Sequence, residues 1–176
     1  MSDVSREVII RKATTGDALQ IGRLIYRSHT MSFPAFASNK WVASRELNEY
    51  ESKTMDNLSN AHPASATYIA EINDQIVGTV RVTPIDDDHF DAMLAGMHVD
   101  PDSTDSGIGS VLMHHALAFI ATQGFAAVQL GVIAGNAGAR RFYERYGWES
   151  HEEIPVGVEG VPVVIYRLAK RPQLTH

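Results

Sequence analysis

The chain contains no cysteine. Disulfide scaffolds, thiolate metal sites and cysteine nucleophiles are therefore excluded, and a reducing compartment is permitted. Lysine is missing from a long stretch, none occurring between Lys53 and Lys170, so a Walker loop ending in Gly-Lys-Ser/Thr cannot form there. Positive charge is short overall, with 15 Lys and Arg against 21 Asp and Glu for a net charge of −6. No nucleic-acid partner is expected, since phosphate backbones are held by clustered cations. The opening MSDVSRE has no apolar stretch behind its charges, which argues against a secretory leader and for a cytoplasmic protein.

What is present is a chain of 176 residues, 44% apolar, enough for one well-cored domain spanning residues 1–176 and too apolar for disorder. The acidity is local. Seven aspartates (86, 87, 88, 91, 100, 102, 105) lie between Pro84 and Ser106 with no Lys or Arg among them, and removing those seven leaves a net charge of +1. From Ser106 to Ala139 no charged residue occurs, but His114, His115, Gln123, Gly124 and Gln129 interrupt the run and its apolar period changes halfway. It reads as a core helix followed by a core strand, and no membrane association is expected.

Residues 7–13 (EVIIRKA) form an expected first strand. Thr14 to Asp17 turns and caps a helix whose stripe is Leu19, Ile21, Leu24, Ile25 and Ser28. A second helix is expected over 43–58. Alternating segments 64–72 and 75–83, joined by Asn73-Asp74, predict a hairpin, and 90–99 a third strand after the Asp86 to Asp88 turn. A helix follows Gly107, with Ile108, Val111, Leu112, His115 and Phe119 on one face, and Gly124 ends it. Then come a buried strand over 125–133, a helix over 137–146 and a last strand over 161–168. This order predicts a mixed α/β fold around one sheet.

Two segments carry chemistry. The loop DPDSTDSGIGS (100–110) joins a strand to a helix, where glycines let backbone N–H groups close on an anion such as a pyrophosphate. A dinucleotide fingerprint would need a third glycine and an acid closing the next strand, and neither is there. The second segment is Asn136-Ala-Gly-Ala-Arg-Arg-Phe142-Tyr143-Glu-Arg-Tyr-Gly147-Trp148. Phe142 and Tyr143 stand about 100° apart on a helix, so one can face the core and the other a cleft. His114 and His115 are adjacent and cannot share one metal, so no metal site is expected, and no Gly-x-Ser-x-Gly elbow supports a serine hydrolase.

Taken together, Val99, Pro101, Gly107, Gly109, Asn136, Ala139, Phe142, Tyr143 and Gly147, with Trp148 in the usual Phe place, resemble the Gcn5-related N-acetyltransferase (GNAT) superfamily over residues 65–168. The resemblance implies a mostly antiparallel sheet with a parallel central strand pair, flanked by helices. It implies acetyl-CoA as cosubstrate and acyl transfer to a small-molecule primary amine by direct attack in a ternary complex, with a homodimer allowed. The strand ending at Met97, His98 and Val99 would pair with the pantetheine arm, and N–H groups near Met97 and His98 would meet the oxyanion. Thr104, Asp105, Ser106, Gly107, Ile108, Gly109 and Ser110 would surround the pyrophosphate, with Arg140 and Arg141 as nearby cations. Asn136 and Ala139 would lie beside the pantetheine, and Tyr143 would approach the sulfur as general acid.

Where the family carries Arg or Gln this chain has Thr104, and Asp105 and Ser106 follow it. Where several members carry a basic glutamate it has Met93, which leaves Asp91, His89, His98 or water to take the amine proton. The acidic 84–91 segment would attract a cation, in keeping with polyamine-acetylating members. A non-catalytic CoA-binding or interaction module, or a protein N-terminal or lysine acetyltransferase, is the alternative.

Overall fold

The computed structural model describes residues 7–104 and 106–170. Seven strands form one sheet in the order β1-β2-β3-β4-β5-β7-β6. They are β1 (Ile9–Lys12), β2 (Ala66–Ile72), β3 (Gln75–Pro84), β4 (Ala92–Val99), β5 (Val128–Ile133), β6 (Trp148–Ile154) and β7 (Val163–Leu168). All neighbours are antiparallel except β4 and β5. The expected mixed sheet with a parallel central pair is what the chain adopts. Asn73 and Asp74 both take positive φ (49° and 61°), as a two-residue hairpin turn between right-twisted strands requires.

Helices α1 (Ala18–Arg27), α2 (Asn39–Ala43), α3 (Leu47–Ser59), α4 (Ile108–Gln123) and α5 (Ala137–Arg145) flank the sheet. Alternation along the strands sends Val80, Val82, Leu94, Val128, Leu130, Val164 and Tyr166 into one core with Ile108, Leu112, Met113, Ala116 and Tyr143 from α4 and α5. The opposite face of β2 and β3 gives Ile69 and Ile76 to a smaller core with Ile21 and Leu24 of α1. Two glycines set the spacing of these layers. A Cβ on Gly78 would lie 2.8 Å from Ile108 Cγ2, and one on Gly22 would lie 2.8 Å from Glu51 Cα, so α4 rides close on β3 and α1 close on α3.

Several expectations are corrected. The helix placed at 43–58 is two helices: Ser38 Oγ accepts from Trp41 N and starts α2 early, while Glu46 is extended and starts α3 late. Leu19, Val111 and His115 face solvent, and Met113, Ala116 and Ile120 complete the buried side of α4. Strand β6 (WESHEEI) was not expected, because only its first side chain, Trp148, is buried and an edge strand need not alternate. Beyond α1 the helix widens to a π turn at Ser28–Ser32, a local form common at functional sites.

Candidate active site

β4 and β5 pair only at Ala92 with Val128 and Met93 with Gln129. Past Met93 the β5-facing edge of β4 has no ladder partner among the described residues, although backbone N–H and C=O groups require one. The other edge of β4 is bulged. Thr79 pairs with His98 and Arg81 with Ala95, so Gly96 and Met97 together oppose Val80, and Gly96 takes φ +59°, which favours glycine. A cavity of about 920 Å³ occupies the opening and reaches both faces of the sheet.

On the α4/α5 face this cavity meets Met97, Leu130, Val132, Asn136, Ala139 and Tyr143. Asn136 caps α5, its Oδ1 accepting from Ala139 N at 3.1 Å, which leaves its amide N–H groups to donate elsewhere. Tyr143 is 9% exposed, and burial pushes its hydroxyl up to about 12. Phe142 turns instead towards Gly109, 3.5 Å from where a Cβ on that glycine would sit. Gly107, at φ +80°, is the N-cap of α4 and leaves the first N–H groups of a 16-residue helix without intrahelical partners. Ile108 is buried, so only its backbone can face a ligand.

The loop residues divide. Thr104 Oγ1 donates to Pro101 O at 3.3 Å, and the Ser106 hydroxyl donates to Ser103 O. Asp105 lies outside the described residues. Arg140 is drawn to the sheet, Nε donating to Tyr166 Oη at 2.9 Å and Nη1 to Ala134 O at 3.2 Å, while Arg141 is exposed. The unpaired edge of β4 and the Asn136 amide border the cavity, whereas Thr104, residues 106–110 and Arg140 do not line it, so a ligand that also meets the α4 N-terminus must extend beyond it.

The α1/α3 face holds residues that sequence reasoning missed. His29, Tyr50, Lys53, Arg81, Gln129 and Glu159 all line the cavity there. Ile21, Ile25 and His29 recur every fourth residue along α1 and the π turn, which was a legible signal. Arg81 was legible as a cation between two inward valines of a central strand. His98 and Ser28 are hydrogen-bonded, Nδ1 to Oγ at 2.9 Å, and the His98 and His29 rings stand 4.9 Å apart. His29 Nδ1 is 2.7 Å from Tyr50 Oη. Burial pulls His98 down to about 3, with His29 adding to the shift. Burial also pulls His29 down to about 4, helped by the charges of Arg45 and Lys53. Met93 lies on this floor.

The acidic segment is elsewhere. Asp87 accepts from the N–H groups of His89 and Phe90, and Asp91 from those of Ala126 and Ala127, at the closed end of the strand pair. Asp100 and Asp102 pair with Arg27. None of residues 86–91 lines the cavity, so they make no direct contact with an acceptor bound there.

A sheet opened between two parallel strands, with an asparagine and a tyrosine of one helix on one face of the opening, is the frame of an acyl-CoA-dependent transferase. The acetyltransferase (GNAT) family model matches residues 25–148, and the chain belongs to that family. No curated protein matches the sequence. Among solved structures, it is similar to a PaiA N-acetyltransferase from Thermoplasma acidophilum in complex with coenzyme A (18% identity, TM-score 0.73, covering 90% of this chain and 98% of that one). A ribosomal-protein-alanine N-acetyltransferase from Brucella melitensis is also similar (18% identity, TM-score 0.72, 90% and 98%). So is a spermidine N-acetyltransferase SpeG chimera from Vibrio cholerae and hSSAT (17% identity, TM-score 0.67, 92% and 94%). At these identities the three share its fold.

Proposed function

We propose that the protein transfers an acetyl group from acetyl-CoA to the primary amine of a small molecule, by direct attack in a ternary complex and in the cytoplasm. The observation that carries this reading is a single cavity that joins Asn136 and Tyr143 on one face of the sheet to Met93, Arg81 and His98 on the other through the gap between β4 and β5. Donor and acceptor can then meet without a covalent enzyme intermediate, in keeping with a chain that has no cysteine.

Acetyl-CoA supplies a thioester: the amine adds to its carbonyl to form the C–N bond, and the C–S bond breaks as the resulting oxyanion collapses. The free β4 edge orders the pantetheine amides, and N–H groups at the Gly96–Met97 bulge stabilise the oxyanion. The N–H groups from Gly107 to Ser110 receive the pyrophosphate. Tyr143 holds its proton with a pKa of about 12. Against a thiol of about 8.5, outright transfer is uphill by roughly 3.5 pK units, or about 5 kcal/mol. Tyr143 therefore acts as a hydrogen-bond donor to the departing sulfur, which takes its proton from water.

The amine proton leaves through water. His98, near 3, is a poor acceptor for the proton of an alkylammonium near 10, a gap of about 7 units or roughly 10 kcal/mol. Asp91 is engaged at the closed end, and Met93 offers no base.

A small acceptor is supported over a protein by the segment 155–162. It borders the cavity through Val156, Gly157, Val158 and Glu159 and is tied to the start of α2 by Ser38 N donating to Glu159 O at 3.0 Å. Met93 favours the competing reading, a CoA-binding module without turnover. Free-thiol release from acetyl-CoA with a panel of amines tests the proposal; a rise in Tm with acetyl-CoA but no thiol release with any amine selects the module.

A further inference from the structure

Resting on that reading of the cavity, the α1/α3 face says what kind of amine belongs there. Its charged lining among the described residues is Lys53 from α3, Arg81 from β3 and Glu159 from the β6–β7 loop. Arg11, Arg23 and Arg27 each sit on carboxylates. No carboxylate pairs with Arg81 or Lys53 among the described residues. The neighbours of Arg81 on its face of the sheet are Thr67, Thr79, Ala95 and Met93, and none is acidic.

Arg81 is also substantially withdrawn from water, and that burial lowers its pKa with nothing to oppose it. A guanidinium in such surroundings is unfavourable until a counter-ion arrives, and its planar fork matches a carboxylate with two parallel hydrogen bonds. Its position suits an acceptor. Arg81 pairs with Ala95 on β4, one strand spacing (about 4.8 Å) from the strand whose free edge receives the thioester. A group bound by Arg81 is thus within one small molecule's length of an amine at the opening. Ile21, Ile25, Leu58 and Met93 supply apolar lining to the same cavity.

We infer that the acceptor is a small amine carrying a carboxylate, with an apolar body, and that Arg81 is its specificity-determining residue, assisted by Lys53. A free amino acid with an apolar side chain has this chemistry. The carboxylate docks on Arg81, the body lies against Ile25 and Met93, and the amine faces the β4–β5 opening.

The test compares leucine, methionine and phenylalanine with their carboxamides, and with spermidine, in acetyl-CoA-dependent thiol release, alongside the Tm shift caused by acetyl-CoA. The free acids are expected to exceed their carboxamides and spermidine in kcat/KM by at least about tenfold, mostly through KM. Arg81→Gln collapses that ratio towards one and Arg81→Lys leaves part of it, while the acetyl-CoA Tm shift persists in both. Carboxamides or spermidine used as well as the acids, a ratio unchanged in Arg81→Gln, or no turnover of any acid with acetyl-CoA still bound would each overturn the inference. Loss of the acetyl-CoA Tm shift in the unaltered protein strikes the acetyl-transfer reading instead.

Discussion

His29 and His98 face each other with ring centroids 4.9 Å apart, one on the π turn after α1 and the other at the end of β4. Both are held neutral by burial, His29 near 4 and His98 near 3. An unfolded chain protonates both near 6.5, so it binds protons that the native one refuses, and stability falls as pH drops below 6.5. For His29 alone the shift corresponds to about 3 kcal/mol. Thermal melts should show Tm declining from pH 6.5 towards 4.5, with His29→Gln flattening the slope. Asp17, held near 2 by its bond to Arg11, loses its contribution only below its ordinary value of 3.8 and does not account for that window.

The same low values bear on catalysis. With neither imidazole able to hold the amine proton, kcat/KM should follow the free-amine fraction of the acceptor, rising about tenfold per pH unit from 7 to 9 with no inflection between 6 and 8. Met93→Glu, which puts a carboxylate on the cavity floor, should move that limb to lower pH. A plateau beginning near pH 7 in the unaltered protein would reveal an enzymatic base and contradict the water route.

Tyr143→Phe keeps the ring in the core and removes the hydroxyl. It should lower kcat by about a hundredfold or more while the Tm shift with acetyl-CoA survives. An unchanged kcat would reduce Tyr143 to a packing residue.

Gly22 tests how the acceptor wall is held. A methyl group there meets the Glu51 backbone at 2.8 Å, so Gly22→Ala must push α3 from α1. We expect a loss of about 1–3 kcal/mol in denaturant unfolding. Because Tyr50, Lys53, Thr54 and Asn57 of α3 line the cavity, acceptor KM should rise more than acetyl-CoA KM.

The residues proposed for the donor half are local in sequence. Gly107 to Ser110 open α4, and Asn136 and Tyr143 are the cap and a residue of α5, so the residues that carry the family resemblance fall within two short windows. The other side of the cavity, proposed for the acceptor, draws on α1, α3, β3, β4 and the 155–162 loop, and no window of sequence contains it. Arg81 sits in a strand whose alternation was clear, yet which face of that strand bordered a cavity depended on where α1 and α3 pack. The acidic stretch misled for the same reason: its composition was plain, but Asp87, Asp91 and Asp100 are occupied with backbone N–H groups or Arg27 rather than a ligand. Arg140 likewise serves Tyr166 and Ala134, a tertiary pairing 26 residues away in one case.

The most direct test of the account is to quantify both products of one reaction by mass spectrometry: free CoA and N-acetylated amine, from purified protein, acetyl-CoA and an apolar amino acid. The account predicts that the two appear in equal amounts, that neither appears without protein, and that both fall together in Tyr143→Phe. CoA released without a matching N-acetyl product would contradict it.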